Sequence, residues 1–220
     1  MTKYENIRHL FEENRDEKKA AEMAAYMKDR FLFYGIQSPL RKQITKEIIK
    51  QDKKLKCIEW GFLDECYEDE HREFHYFVID YLDAMKSYLK YEDIEHMYKY
   101  IKTHQWWDTI DNFDTIIGTM GLTDSRVDNL MLQWSSDDDM WLRRLAIDHQ
   151  LLRKEKTDTK LLSAIILNNL DNREFFINKA IGWSLRDYSK TNPQWVADFI
   201  EQHKDHMAPL SIREGSKYLK

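Results

Sequence analysis

The sequence predicts an all-α protein, an α-α superhelix (solenoid) of about six stacked helix hairpins that forms one domain, residues 1–220, with a concave binding groove. Three observations carry this prediction. Only six glycines and three prolines occur in 220 residues, so few positions interrupt a helix. Apolar residues recur at i, i+3 and i+4 in stretches such as "AAEMAAYMKDRFLFYGI" and "VADFIEQHKDHM", which is the spacing of an amphipathic helix. Similar segments also return at a nearly fixed interval, the mark of a repeat array. No segment reads as a strand.

The repeats follow in order. "PLRKQITKEI" (39–48) opens the series and is expected to merge into a longer N-terminal cap. "EFHYFVIDYL" (73–82) is the second, the Trp107 region the third and "WLRRLAIDHQL" (141–151) the fourth. "FINKAIGWSL" (176–185) and "SIREGSKYL" (211–219) complete it. With Leu40, Phe74, Trp107, Leu142, Ile177 and Ile212 as equivalent positions, the spacings are 34, 33, 35, 35 and 35. Turn signals such as "GIQSP", "LNNLDN" and "SKTNP" fall between helices. Each hairpin buries its apolar face on the next, and the second helix of each pair lines the binding side.

Composition narrows the function. A hydrophobic content of 42% excludes disorder, and no apolar run approaches the roughly 20 residues of a membrane span. The charged N-terminus is no signal peptide, and Cys57 and Cys66 fit neither a zinc site nor a disulfide framework, so a reduced, cytoplasmic setting is expected. The net charge of −5 counts against a nucleic-acid partner. Its distribution is uneven, however: residues 1–60 carry 14 basic and 10 acidic side chains, and 61–100 carry 4 and 11.

One position breaks the repeat. Four residues after the reference position, the series reads Ile44, Val78, Asp111, Ala146, Ile181 and Ser216. A carboxylate in a packing column must be partnered or face a cavity. Asp111 is either a hydrogen-bonding acid that pins the backbone or a functional acid. Asp108 and Asp114 fall at more tolerant positions and read as surface or capping acids. Trp107, one turn before Asp111, shares its face. Trp183 departs from a column of Lys46, Asp80, Phe113, Asp148 and Tyr218, and Arg144 lies in a mostly polar column with Lys42, Tyr76, Thr109, Lys179 and Glu214 that is expected to face water or ligand.

Two indoles, one acid and a ring of cations suit a nucleic-acid ligand: Arg and Lys pair with phosphates, and flat aromatics pack on bases and sugars. A fixed carboxylate between indoles stabilises an oxocarbenium-like sugar and orients water during N-glycosidic cleavage. When the departing base is already cationic, no strong general acid is needed.

These residues resemble the AlkD-type DNA alkylation repair glycosylases, built from HEAT-like repeats. The resemblance runs through nearly the whole chain and rests on "MAAYMKDRFLFYGIQSP" (23–39), "QWWDTID" (105–111), "WLRRLAI" (141–147), "EFFINKAIGWSLRDYSKTNP" (174–193) and "APLSIREGSKYL" (208–219). It implies excision of positively charged N3- and N7-alkylated purines from double-stranded DNA, without metal or organic cofactor; a monomer is expected of a small solenoid that wraps DNA. It places the catalytic acid on Asp111 with Trp107 and Trp183 beside it. Nucleic-acid contacts fall on Arg144 (backbone), Tyr26 (an aromatic pocket residue), Gln37, Arg186 and Arg213. Asp148 and His149 are more polar than an apolar helix stripe requires, and the acidic net charge implies salt-sensitive binding.

Two features stand outside this reading. His71 and His75, at i and i+4, have metal-ligand spacing but no evident third ligand, so a solvated helix face is expected. The acidic run "DECYEDEHRE" (64–73) reads as a surface loop and helix end. A non-catalytic helical-repeat scaffold that binds distorted DNA or a protein is the alternative function.

Overall fold

A computed structural model describes residues 1–219. Thirteen α-helices and no strand occur among the described residues, with one isolated parallel bridge between Leu32 and His71. No helix is long and apolar enough to cross a membrane. The chain divides into two compact units, Met1–Leu89 and a second that begins at Lys90.

The first unit contains α1 (Lys3–Glu13), α2 (Glu17–Tyr26), α3 (Ser38–Leu55), α4 (Trp60–Tyr67) and α5 (Arg72–Met85). Thr2 opens α1 with a reciprocal capping box to Glu5, and Asp16 caps α2 through the Lys19 amide. Helix α5 packs against α3 and α4. The loop before α3 is fixed from a distance: the buried Glu73 carboxylate accepts hydrogen bonds from the backbone N–H groups of Tyr34, Gly35 and Ile36 at 3.1, 2.9 and 3.0 Å. The acidic run therefore ends in an interior clamp rather than at the surface. Burial raises the Glu73 carboxyl above its ordinary value, against these amides. His75 also departs from the expected solvated face. It is buried, with Nε2 2.9 Å from the Asp69 carbonyl and Nδ1 accepting from Arg72 at 3.2 Å.

The second unit is a series of four hairpins. They are α6 (Ile94–Lys102) with α7 (Trp107–Met120), α8 (Arg126–Trp134) with α9 (Met140–Asp148), α10 (Thr159–Leu167) with α11 (Phe175–Ser189), and α12 (Pro193–His203) with α13 (Pro209–Gly215). The second helices pack in succession, α7 on α9, α9 on α11 and α11 on α13. This is the stacking the repeat spacing implies: each hairpin covers the apolar face of its neighbour. All six reference residues, from Leu40 to Ile212, fall in the first turn of α3, α5, α7, α9, α11 and α13. Caps set those starts. Asp139 accepts from the Trp141 amide ahead of α9, and Pro193 and Pro209 occupy first-turn positions where a missing N–H costs nothing.

Close backbone approach requires glycine at two of these contacts. A Cβ at Gly118 of α7 would lie 1.9 Å from the His149 carbonyl oxygen after α9, and one at Gly182 of α11 would lie 2.5 Å from the Glu214 Cβ of α13. Small residues here bring α7, α9, α11 and α13 close enough for their side chains to reach across.

Candidate active site

Asp111 lies in the middle of α7, with a side chain 18% exposed. Both its oxygens are engaged: Arg144 of α9 donates from Nε to Oδ1 and from Nη2 to Oδ2, each at 2.7 Å. This two-point arrangement is the strongest form of an arginine–carboxylate pair. The third guanidinium nitrogen, Nη1, donates to the Phe176 carbonyl of α11 at 2.6 Å. One side chain therefore ties three successive second helices together. Burial raises the Asp111 carboxyl above its ordinary value, and the Arg144 guanidinium opposes that rise.

Arg144 itself is 1% exposed. Thr109 and Glu214, from the column expected to face water or ligand, are buried as well. Arg144, Lys179 and Glu214 in this column bond to neighbouring second helices, whereas Thr109 turns its hydroxyl back to the Trp106 carbonyl. Arg144 donates from Nε, Nη1 and Nη2 to protein acceptors, so the role its geometry supports is to hold Asp111.

Two further acids lie behind this pair. Asp114 of α7 and Asp148 of α9 are each 1% exposed, and one oxygen from each of Asp111, Asp114 and Asp148 lies within 4.8 Å of the others. Asp114 thus departs from the surface or capping role read from the sequence. Thr115 donates to its Oδ1 at 2.9 Å. Asp108 is also buried, though it does sit in the first turn of α7, where the helix dipole favours an acid. Ser184 of α11 donates to Asp148 Oδ1 at 3.0 Å. Burial, then the Asp148 and Asp111 charges, drive the Asp114 carboxyl well above its usual range. Burial also raises Asp148 to about 7, against the pull of Arg144. The acids are near enough to surround a cation, yet a guanidinium already holds both oxygens of Asp111 and stands 3.9 Å from Asp148. That charge opposes a metal at the same point.

An aromatic wall borders the pair. The Arg144 guanidinium carbon is 5.1 Å from the Trp183 ring centre, with Lys179 Nζ at 5.6 Å and the Arg186 carbon at 5.9 Å. Three cations therefore surround one half-buried indole, the electrostatically favoured partner of a positive charge. Trp107 opens α7, half-buried one turn from Asp111. Its neighbour Trp106 is core, packed edge-on against Trp141 and Phe176 at 5.7 and 5.3 Å. That division of labour within "QWWD" was not legible beforehand. Glu214 of α13 collects Lys179, Arg186 and Lys217 at 3.3, 2.8 and 2.8 Å. The Lys217 hydrogen bond leads the interactions that hold its carboxyl below the usual range.

The structure thus brings Asp111, Arg144, Trp183 and Arg186 together in the second unit, while Arg213 is exposed on α13. Tyr26, 72% exposed at the end of α2, and Gln37, exposed at the start of α3, belong to the first unit.

Residues 7–219 match the family model described as DNA alkylation repair enzyme. A solved structure described as a predicted DNA alkylation repair enzyme from Enterococcus faecalis is 35% identical, covers 93% of this chain and 96% of its own, and superposes with a TM-score of 0.84. A comparison with curated proteins finds no match.

Proposed function

This chain belongs to the DNA alkylation repair enzyme family, and from that premise we propose that it is a monofunctional DNA glycosylase. Its substrates are positively charged N3- and N7-alkylated purines, such as 3-methyladenine and 7-methylguanine, in duplex DNA. The observation that carries this reading is the Asp111 carboxylate, partly open to solvent, fixed at two points by Arg144 beside the Trp183 indole.

The chemistry follows from those residues. The bond between C1′ and the purine nitrogen breaks heterolytically. Its electron pair stays with the cationic purine, which departs neutral. Positive charge develops on the sugar, where the preoriented Asp111 carboxylate stabilises it without reorganisation at the moment of reaction. Water then forms the new bond to C1′ and gives up its proton through Asp111. Trp107 and Trp183 wall the site and exclude bulk water. Because the leaving group carries its own charge, no cofactor is required. Arg186 and Arg213, with Tyr26 and Gln37 from the first unit, engage the DNA. Arg144, read from the resemblance as a backbone contact, acts here by keeping Asp111 ionised and oriented. The protein works as a cytoplasmic monomer.

The complete engagement of Asp111 by Arg144 also favours a second reading, in which the acid is purely structural and the protein is a DNA-binding scaffold. Release of 7-methylguanine and 3-methyladenine from methylated duplex DNA at low salt separates the two. The glycosylase reading expects release by the wild type and its loss in Asp111→Asn. No release of either base by the wild type refutes it.

A further inference from the structure

The interior behind Asp111 holds more acid than its one arginine can neutralise. Asp111, Asp114 and Asp148 gather around Arg144, in positions from which Asp114 and Asp148 have almost no access to water. Three ionised carboxylates against one guanidinium would leave two uncompensated charges in a poorly solvated space. Such groups take up protons rather than remain charged. The hydrogen bonding shows where a proton fits. Thr115 donates to Asp114 Oδ1, while the single Ser184 hydroxyl proton lies between the Ile147 carbonyl at 2.8 Å and Asp148 Oδ1 at 3.0 Å. Asp148 Oδ2 is buried with no hydrogen-bond partner among the described residues, and it faces Arg144 Nη2 at 3.9 Å. Nη2 is also the nitrogen that donates to Asp111 Oδ2.

We propose that Asp114 and Asp148 retain a shared proton at neutral pH and thereby act as positioning residues for Asp111. While the proton is held, Asp148 competes weakly for Nη2, and the guanidinium keeps its two-point grip on Asp111. When the proton leaves, ionised Asp148 draws Nη2 toward its own Oδ2. The grip on Asp111 then falls to one point and the acid loses its orientation. The inference rests on the glycosylase reading for its catalytic consequence, and on the burial and contacts of the three acids for the proton.

Other charged groups do not take over this role. Asp111 faces the pair from α7 and Arg144 from α9, while α11 contributes the neutral Ser184. Helix α8 turns Asp128 to His149 at 4.0 Å and to Arg153 at 3.8 Å. Charged residues of α6 (Glu95, Lys99 and Lys102) and Lys160 of α10 are exposed.

The sign of the effect is fixed. A carboxyl whose folded value lies above its unfolded value binds its proton more tightly when folded, so stability falls as pH rises from the unfolded value, about 3.9, toward the folded value of about 7. Asparagine mimics the protonated acid and removes that loss. His149 titrates in the opposite sense, so the informative quantity is a difference between proteins measured at the same pH.

The test uses thermal unfolding of the wild type, Asp148→Asn and Asp114→Asn between pH 5 and pH 8, alongside infrared spectra of the wild type at pH 7. The melting temperature of Asp148→Asn is expected to rise relative to wild type across that range, and the spectrum is expected to contain a protonated carboxyl band that shifts or weakens in the Asn variants. Parallel melting profiles overturn the proposal, as does the absence of the band in the wild type. The second is read without any variant. For catalysis, the decline of base release at alkaline pH is expected to move by about one pH unit or to vanish in Asp148→Asn; an unchanged decline overturns the positioning role. If the wild type releases no base, the glycosylase reading fails while the melting and infrared results still decide the proton.

Discussion

Arg144 grips Asp111 with two hydrogen bonds of 2.7 Å and anchors itself on the Phe176 carbonyl with a third. A lysine can occupy the same position but cannot make a planar two-point contact. Arg144→Lys is therefore expected to retain the fold with reduced base release. Arg144→Ala leaves the buried acids without their counter-charge and is expected to cost about 3–5 kcal/mol of stability, measured by urea unfolding. Equal stability of the alanine variant and the wild type would contradict the account.

Trp183 has a different role: it is half-buried and lies among three cations rather than in the core. Trp183→Ala is expected to lower kcat/KM for base release by about tenfold, the scale of a lost cation–π or stacking contact. Its melting temperature should change little. A large fall in melting temperature would instead mark the indole as structural.

Glu214 spends its charge on Lys179, Arg186 and Lys217. Neutralising it frees those cations for phosphate. Glu214→Gln is expected to tighten duplex DNA binding at low salt by about two- to fivefold and to steepen the salt dependence, as fluorescence anisotropy would show. Weaker binding would mean that the carboxylate orders the cations rather than neutralises them.

His149 is buried after α9, with Nδ1 2.6 Å from the Ala146 carbonyl, and burial lowers it to about 3. The unfolded chain takes up a proton near pH 6.5, whereas the folded chain does not. Stability should therefore fall as pH drops from about 6.5 toward 3. His149→Phe is expected to flatten that decline in a series of melting curves. An identical acid slope in the variant would assign the loss to other groups.

The helical plan was legible because it is written locally. Apolar spacing and a period near 34 place Leu40, Phe74, Trp107, Leu142, Ile177 and Ile212 alike in first turns. Asp111 stood out because Val78, Ala146 and Ile181, its counterparts, are core residues. Asp114 reads as a surface or capping acid because the spacings on either side of the third repeat are 33 and 35. A uniform step of 34 joins Asp80, Asp114 and Asp148 in one column, and that series was the available signal. Glu73 and His75 were misread for another reason. Their partners, the Tyr34–Ile36 amides and the Asp69 carbonyl, are supplied by chain folding back on itself, which helix periodicity does not encode. The commitment of Arg144 to Asp111 is likewise a contact between repeats, visible only once α7 and α9 are packed.

Base release by Asp111→Asn tests the central claim most directly. The substitution keeps the shape of the side chain and removes its charge. With methylated duplex DNA at low salt, the wild type should liberate 7-methylguanine and 3-methyladenine, and Asp111→Asn should liberate neither while still folding and binding DNA. Release by the variant at the wild-type rate would contradict the assignment of Asp111 as the acid that stabilises the sugar cation.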